Sequence, residues 1–276
     1  MARKGMTGIW GAGEVPGARS LLGRVNPCVK LLALVLMALA LTFVFDPATP
    51  AVLFMVILAA GCIAGGLSLG SQLRPLVIFV AAGVPILLGN VLFNKGNAAA
   101  EALAYLGPLK ITGVALSAAG SLWLRLLCFA LLSLVFVKTT EPQDLMLSLV
   151  HQLHINFRVA FGTMVGYRML PALQSDLQTI RAAQRVRGVQ DMRGLVHWWS
   201  RMRRYAIPLL AGGVRKAGRV AIAMDARAFG ALPSRTYRRR MTVGRRDAIF
   251  LGAVVFVTAL VIVGLYVMGV ARFALW

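Results

Sequence analysis

The sequence predicts an all-α integral membrane protein with about five transmembrane helices and a cytoplasmic layer of long amphipathic helices. Hydrophobic residues make up 59% of the 276 residues and charged residues 14%, and the mean hydropathy is +0.76. A soluble domain averages about 45–50% apolar and about 25% charged residues. Five apolar stretches approach the roughly 20 residues that a helix needs to cross a bilayer. A separate basic segment carries helical periodicity instead.

The five apolar stretches are Val29–Phe45, Ala51–Leu69, Leu76–Phe93, Val114–Val137 and Ala248–Val270. The first lacks a small-residue cleavage site followed by a soluble domain, so it is better interpreted as a true span than as a signal peptide. The chain therefore divides into a cytoplasmic N-terminal segment, four transmembrane helices, a layer of cytoplasmic helices, and a final transmembrane helix with a short external tail. The corresponding ranges are 1–28, 29–137, 138–246 and 247–276.

The charges of the loops predict the orientation. Basic residues before the first span outnumber the single acid Glu14, whereas the next connection, Asp46–Pro50, contains none; the basic residues are Arg3, Lys4, Arg19, Arg24 and Lys30. The positive-inside rule therefore places the N-terminus in the cytoplasm of a multi-pass plasma-membrane protein. Counting spans places residues 138–246 in the cytoplasm as well and the last residues outside.

Most of the formal net charge of +21 lies between the fourth and fifth spans. Arg181–Arg246 contains sixteen arginines and one lysine against two aspartates. The segment is not a disordered tail, because apolar residues recur at helical spacing. We expect long helices at Phe157–Gln190 and Ile207–Phe229, with a short interfacial helix at Gly194–Tyr205 between them.

Two similar motifs stand within this basic segment. Each has a proline near the expected helix start, an alanine, an arginine four residues later and a nearby glycine; the two sets are Pro171, Ala183, Arg187 and Gly188, and Pro208, Ala223, Arg227 and Gly230. Positions i and i+4 share a helix face. The small alanine lets another protein approach, and the arginine projects a guanidinium toward carboxylates or carbonyls. A basic face solvated by water and anionic lipid headgroups is the alternative interpretation.

Two further polar features have competing interpretations. Arg125 lies inside the fourth span, where a charge normally faces protein or water. It either makes an internal polar contact or hinge, or it snorkels to the interface beside Trp123. The spacing of His151 and His154 puts both on one helix face, but no cysteine or carboxylate pair completes a metal shell, so we expect surface histidines.

Several classes of function are disfavoured. The chain has no phosphate-binding loop of the GxxxxGK[ST] type, and no Ser/His/Asp or paired-carboxylate arrangement stands in a plausible cavity. We therefore expect no enzymatic activity, no cofactor and no metal site. The alternatives are a self-sufficient secondary transporter, a membrane-bound lipid enzyme and a nucleic-acid-binding anchor. The first would favour inverted repeats, the second needs clustered acids, and the third has no need of apolar helix faces.

Three motifs carry a resemblance to a known family. They are Pro27-x-x-Lys30-Leu31 at the first span, Arg125 followed by Thr139-Thr140-x-Pro142-x-Asp144-Leu145, and the paired arginines in Val186-Arg187-Gly188 and Ala226-Arg227-Ala228. Over about residues 20–270 the chain resembles the transmembrane T component of energy-coupling factor (ECF) vitamin and metal transporters. That family carries Ala-Arg-Gly on two cytoplasmic coupling helices, so both copies here depart from it by one residue. In the second copy Gly230 is a substitute for the missing helix-ending glycine.

The resemblance implies the partners. In such transporters two cytoplasmic ATPase subunits, identical or different, bind the two coupling helices, and a separate small membrane subunit captures the substrate. Arg187 and Arg227, with the small residues beside them, would then dock one ATPase each. The lipid bilayer is the third partner, and nucleic acid is not expected. The transported substrate would be recognised by the other membrane subunit.

Overall fold

The computed structural model describes residues 20–44, 46–93, 102–106, 109–188, 195–231 and 241–268. Within these ranges the chain forms eight α-helices, two short strands and a 3-10 turn at Leu22–Arg24. The helices are α1 (Pro27–Thr42), α2 (Ala48–Ile63), α3 (Leu69–Phe93), α4 (Gly113–Thr139), α5 (Pro142–Leu153), α6 (Phe157–Val186), α7 (Leu195–Asp225) and α8 (Arg245–Val267), and the strands are β1 (Ala102–Leu106) and β2 (Leu109–Thr112). The predicted all-α membrane fold is thus confirmed, with one small addition.

The addition is an antiparallel pair formed by β1 and β2 between α3 and α4. The sequence offered a signal for it, because Gly107-Pro108 is a typical turn dipeptide between two stretches that tolerate strand conformation. The second strand leads directly into α4. Its last residue, Thr112, is the N-cap of α4, and its hydroxyl oxygen accepts a hydrogen bond from the Ala115 N–H at 3.2 Å.

The described residues form two compact units. One, here called the bundle, contains α1 to α5, the two strands and α8. The other, here called the coupling unit, contains α6 and α7. The sequence-based division grouped α5 with the coupling helices. In the structure α5 packs against α1 and belongs to the bundle.

Helix α4 lies at the centre of the bundle and contacts α1, α2 and α3. Fully buried residues from three helices meet there, namely Leu41, Leu53, Cys128 and Leu131. The outward faces of the long helices are apolar as well, as at Ile78 of α3, which is 73% exposed. A helix that is apolar on both its inward and its outward face is typical of a membrane span.

Three of the described helices are long and apolar enough to cross a membrane, with spans at Leu69–Val91, Ala115–Thr139 and Arg245–Val267. Of the five stretches predicted to reach or nearly reach the length of a span, the third, fourth and fifth form these three helices. Helices α1 and α2 are apolar but have only 16 residues each. The predicted stretch Ala51–Leu69 runs past the end of α2, because its apolar composition continues through a turn at Gly66, whose φ of +61° breaks the helix.

In the coupling unit α6 and α7 run antiparallel. Phe157 at the start of α6 contacts Phe229 beyond the end of α7, Asp176 pairs with Lys216, and Arg181 near the end of α6 lies over the ring of Tyr205 in the first half of α7. The first contact joins the start of α6 to the end of α7, the last joins the end of α6 to the first half of α7, and the ion pair lies between them. The coupling unit is therefore a helical hairpin.

Two expectations for this hairpin were wrong. Residues Leu195–Asp225 form one continuous helix of 31 residues, so no separate interfacial helix precedes Ile207. Pro171 and Pro208 lie inside α6 and α7, and not near the helix starts. A proline can stand inside a long helix when tertiary packing outweighs the lost backbone hydrogen bond. The rule that places proline near a helix start misplaced the start of α7, at Ile207 instead of Leu195, whereas the expected start of α6 at Phe157 is confirmed.

Candidate functional site

The first arginine motif lies at the C-terminal end of α6. Arg187 is the C-cap residue, and its N–H donates to the Ala183 carbonyl at 3.2 Å. Gly188 follows in the left-handed conformation with φ +75°, and its N–H donates to the Arg185 carbonyl at 3.0 Å. A glycine in this conformation ends the helix, two residues before the expected end at Gln190. Ala183, Arg187 and Gly188 are all exposed.

The second motif ends α7 in the same way. The N–H of Ala228 donates to the Asp225 carbonyl at 2.9 Å, and the N–H of Phe229 donates to the Met224 carbonyl at 3.1 Å. These two bonds define a Schellman motif, in which the residue after the C-cap is left-handed. That residue is Ala228, with φ +54°. The C-cap position therefore belongs to Arg227, as it does to Arg187 in the first copy.

The expectation that Gly230 substitutes for the missing glycine is corrected by this geometry. Gly230 is left-handed, with φ +84°, but it lies two residues beyond the helix stop. Its carbonyl accepts a hydrogen bond from Arg158 Nη2 at 3.3 Å, so it connects the end of α7 to the start of α6. Ala223 and Arg227 are exposed, and Gly230 is half-buried.

The hairpin places the two arginines at its opposite ends. Arg227 lies near Gly230, and thus near Arg158 at the start of α6, whereas Arg187 follows the last residue of α6. With about 1.5 Å of rise per residue, the helical interval between Arg158 and Arg187 is about 40 Å. One hairpin therefore carries the two arginines at ends that lie far apart.

Each arginine has an exposed apolar residue close to it in the chain. Val186 is 90% exposed beside Arg187, and Ile222 is 71% exposed five residues before Arg227. A guanidinium offers five N–H donors in a planar fork, and it is favourable at the negative end of a helix dipole. Each helix end thus combines cationic donors with apolar surface, a composition suited to docking on a protein groove that contains carbonyl or carboxylate oxygens.

Arg125 makes an internal polar contact and does not snorkel. It is 9% exposed, and Nη2 donates to the carbonyl of Val44 in the connection between α1 and α2. The same connection is held by the Ser121 hydroxyl, which donates to the Asp46 carbonyl at 3.1 Å. The Asp46 carboxylate attracts Arg125 and accepts hydrogen bonds from Thr49. Arg125 therefore fixes a loop of the bundle.

Sequence reasoning missed the use of one buried lysine. Lys30 is 5% exposed in α1, and Nζ donates to the Thr139 carbonyl at 2.9 Å and to the Thr140 hydroxyl oxygen at 3.4 Å. Lysine is almost never buried without partners. The position of Lys30 within an apolar stretch indicated that it is buried with polar partners. The sequence could not identify those partners, because they lie more than 100 residues away in the chain.

The two histidines do not form a pair for a metal. The Nδ1 atom of His151 accepts a hydrogen bond from the Met241 N–H at 3.4 Å, and His154 lies exposed beyond α5 with φ +52°. Among the residues whose positions the structure describes, no group of three or more His, Cys, Asp or Glu side chains is placed to hold a metal ion.

Comparisons with known proteins bear on the whole chain. A family model described as CbiQ: Cobalt transport protein matches residues 18–238. The chain is 29% identical over 259 residues to the energy-coupling factor transporter transmembrane protein EcfT of Limosilactobacillus fermentum, with 87% of this chain and 92% of that protein covered. It is 31% identical over 250 residues to EcfT of Streptococcus thermophilus, covering 85% and 90%. It is 28% identical over 257 residues to a putative ABC transporter ATP-binding protein of Bifidobacterium longum, covering 89% of this chain and 32% of that protein.

Proposed function

The chain belongs to the CbiQ family of cobalt transport proteins and is an ECF transporter transmembrane component, and on that premise we propose that it transmits movement from two cytoplasmic ATPases to a separate substrate-capturing membrane subunit. The substrate of the complete transporter would be a vitamin or a metal ion. The observation that carries the proposal is the pair of equivalent helix ends, with Arg187 and Arg227 at the two C-caps.

In this proposal each helix end docks into a groove on one ATPase. Ala183 and Ala223, four residues before the arginines, leave room for the groove wall, and each guanidinium binds carbonyl or carboxylate oxygens inside it. Two ATPases that close on ATP would move the two ends of the hairpin relative to one another. Because α6 and α7 contact each other, we expect that movement to pass along both helices and through the chain connections to the bundle.

The relatives' names support ATPases as partners. One matched relative is named an ABC transporter ATP-binding protein, and the match accounts for about a third of its length. The others are named as transporter transmembrane proteins. We propose that ATP is hydrolysed only by the partner subunits, which can be two copies of one chain or two different chains. The loop charges support a plasma-membrane protein with a cytoplasmic N-terminus and cytoplasmic residues 138–246.

Charge reversal at the C-caps tests the docking role. We expect Arg187→Glu or Arg227→Glu to leave the protein in the membrane but to weaken ATPase binding by about thirtyfold or more, because disrupting a desolvated interfacial charge pair costs about 2–5 kcal/mol. The double variant should lose more than either single variant, since the two ends would bind separate subunits. The measurement is co-purification of the ATPases at matched expression levels, together with substrate uptake.

Arg219→Glu is the matched control. Arg219 is also exposed on α7, but it lies two turns before the helix end. The control should retain the ATPases. If the C-cap variants retain them as well as Arg219→Glu does, the two arginines are ordinary solvated residues and the proposal is wrong.

A further inference from the structure

The coupling segment is inserted into the bundle at two neighbouring points. The chain leaves the bundle through α5, which ends at Leu153, and re-enters it at Met241 before α8 begins at Arg245. These two connections are where force can pass through the backbone between residues 154–240 and the membrane helices. Residues that precede the exit, and Asp247, which follows the return, contact the start of α1 or its N-cap.

The exit side is held by three residues that contact α1. The Lys30 ammonium donates to the Thr139 carbonyl and the Thr140 hydroxyl, so it binds the last turn of α4 where the chain turns into α5. The Sγ atom of Cys28 lies 3.4 Å from the Ser148 hydroxyl oxygen in the middle of α5. The exit path is therefore attached to α1 at its start and at its middle.

The return side is held by one carboxylate. Oδ1 of Asp247 accepts a hydrogen bond from the Asn26 N–H at 2.8 Å, which joins the first turn of α8 to the residue that caps α1. Oδ2 of the same side chain accepts from the Gly244 N–H at 2.8 Å. The exit and return paths also touch directly, because His151 Nδ1 accepts a hydrogen bond from the Met241 N–H.

This set of contacts is buried and charged. Lys30, Asp247, Thr139 and Ser148 are each less than 10% exposed, and the carboxylates of Asp144 and Asp247 are the acidic groups that attract the Lys30 ammonium. A buried charge that keeps its partners resists displacement, since separating them would leave it unpaired in a low-dielectric environment. The contacts therefore make α1, the end of α4, α5 and the start of α8 behave as one rigid piece.

We propose that this cluster, here called the α1 joint (Asn26, Cys28, Lys30, Thr139, Thr140, Ser148 and Asp247), passes the movement of the coupling helices to the membrane helices, with Lys30 as its central positioning residue. The inference rests on the proposed coupling function and adds the route of the coupling. A pull on α6 reaches α1 through α5, and a pull on the return connection reaches α1 through Asp247. Helix α2 contacts α4 and α8, and α3 contacts α4, so displacement of this rigid piece changes its packing against α2 and α3.

The test is the ratio of substrate transported to ATP hydrolysed, measured with the complete transporter in proteoliposomes. We expect Lys30→Met to assemble with the ATPases and to hydrolyse ATP, but to lower the transport ratio about tenfold. A purely structural loss would lower transport and hydrolysis together and leave the ratio unchanged. Lys30→Arg keeps the cation and should restore much of the ratio.

Lys138→Met is the matched control. Lys138 is in the same last turn of α4 as Thr139, but its Nζ donates to the Ser71 carbonyl of α3 and so lies outside the α1 joint. The control should keep the wild-type ratio. Asp247→Asn provides a second variant. The Asp247 carboxylate accepts one hydrogen bond on each oxygen, from the Asn26 and Gly244 N–H groups, whereas an amide has only one oxygen and turns an NH2 group toward the other donor. It should lower the ratio in the same direction as Lys30→Met.

Three results would overturn the inference. The first is an assembled Lys30→Met transporter with the wild-type ratio of transport to hydrolysis. The second is an equal loss of that ratio in Lys30→Met and Lys138→Met. The third is failure of both Lys30→Met and Asp247→Asn to assemble, which would make the cluster a folding element only. Failure of the proposed function would look different, because the wild-type chain itself would then not retain the ATPases.

Discussion

At the scale of single residues, Ala228 has the most demanding backbone conformation in the candidate site. An L-residue with a Cβ in the left-handed region costs roughly 1–2 kcal/mol relative to its usual conformations, and glycine avoids most of that cost. The neighbouring hydrogen bonds, from Ala228 to Asp225 and from Phe229 to Met224, hold the alanine in place. The second helix end is thus built with the same geometry as the first, but with strain that Gly188 does not carry.

Replacing Ala228 by glycine should therefore stabilise the end of α7. We expect Ala228→Gly to slow hydrogen exchange of the Ala228 and Phe229 amides about fivefold, which corresponds to about 1 kcal/mol. Ala226→Gly is the control, because the Ala226 N–H donates to the Ile222 carbonyl as in a helix, and glycine there should speed exchange. Equal effects of the two substitutions would show that the left-handed backbone at Ala228 stores no strain.

At the scale of the elements, the hairpin is held by contacts of unequal strength. The Asp176–Lys216 ion pair is about one-third exposed on both sides, and an exposed pair contributes about 1 kcal/mol or less. The ring of Phe229 lies 5.8 Å from that of Phe157 and 4.7 Å from that of Phe161. Aromatic contacts of this kind add about 0.5–1.5 kcal/mol to the effect of burial. The aromatic cluster should therefore hold the end that carries Arg227.

We expect Phe229→Ala to loosen the end of α7 by about 1–3 kcal/mol, because it removes both ring contacts and part of the apolar burial. Hydrogen exchange of the amides from Ile222 to Phe229 measures the effect, and ATPase binding through Arg227 should weaken with it. Lys216→Met serves as the comparison and should change exchange by less than about 1 kcal/mol. A larger effect of Lys216→Met would mean that the ion pair, and not the aromatic cluster, holds the hairpin.

The elements also show how far sequence patterns reach. Composition and apolar periodicity predicted the membrane class, α4 to within two residues and the start of α6 at Phe157, because these depend on local chemistry. The continuity of α7 through Pro208 could not be predicted, since packing against α6 decides it. The partners of Lys30 and Arg125 were also beyond reach, because each bonds to residues far away in the chain. The left-handed conformation of Ala228 was also missed. Sequence reasoning assigned the helix stop to the nearby Gly230, because glycine adopts a left-handed conformation at a lower free-energy cost than alanine.

At the scale of the whole molecule, the proposed orientation makes opposite predictions for two positions. Phe43 lies at the end of α1 near the connection to α2, which should face the outside, whereas Arg201 lies in α7 and should face the cytoplasm. In intact cells a membrane-impermeant thiol reagent should label Phe43→Cys, and it should label Arg201→Cys only after permeabilisation. The unsubstituted chain gives the background of its three cysteines. Labelling of Arg201→Cys from outside would reverse the topology.

The 16-residue length of α1 and α2 has a consequence for the surrounding membrane. Each helix is about 24 Å long, about 6 Å shorter than a typical hydrocarbon core of about 30 Å. Both helices expose apolar side chains, including Leu39 of α1 and Met55 of α2, so lipid tails rather than water should cover them. We expect the bilayer to be thinner beside these two helices than beside α3, because thinning is one way in which a membrane accommodates a short helix, at a cost of fractions of a kcal/mol per Å. The protein would then favour membranes of short acyl chains, and a subunit that approaches α1 and α2 would enter a thinned patch of bilayer.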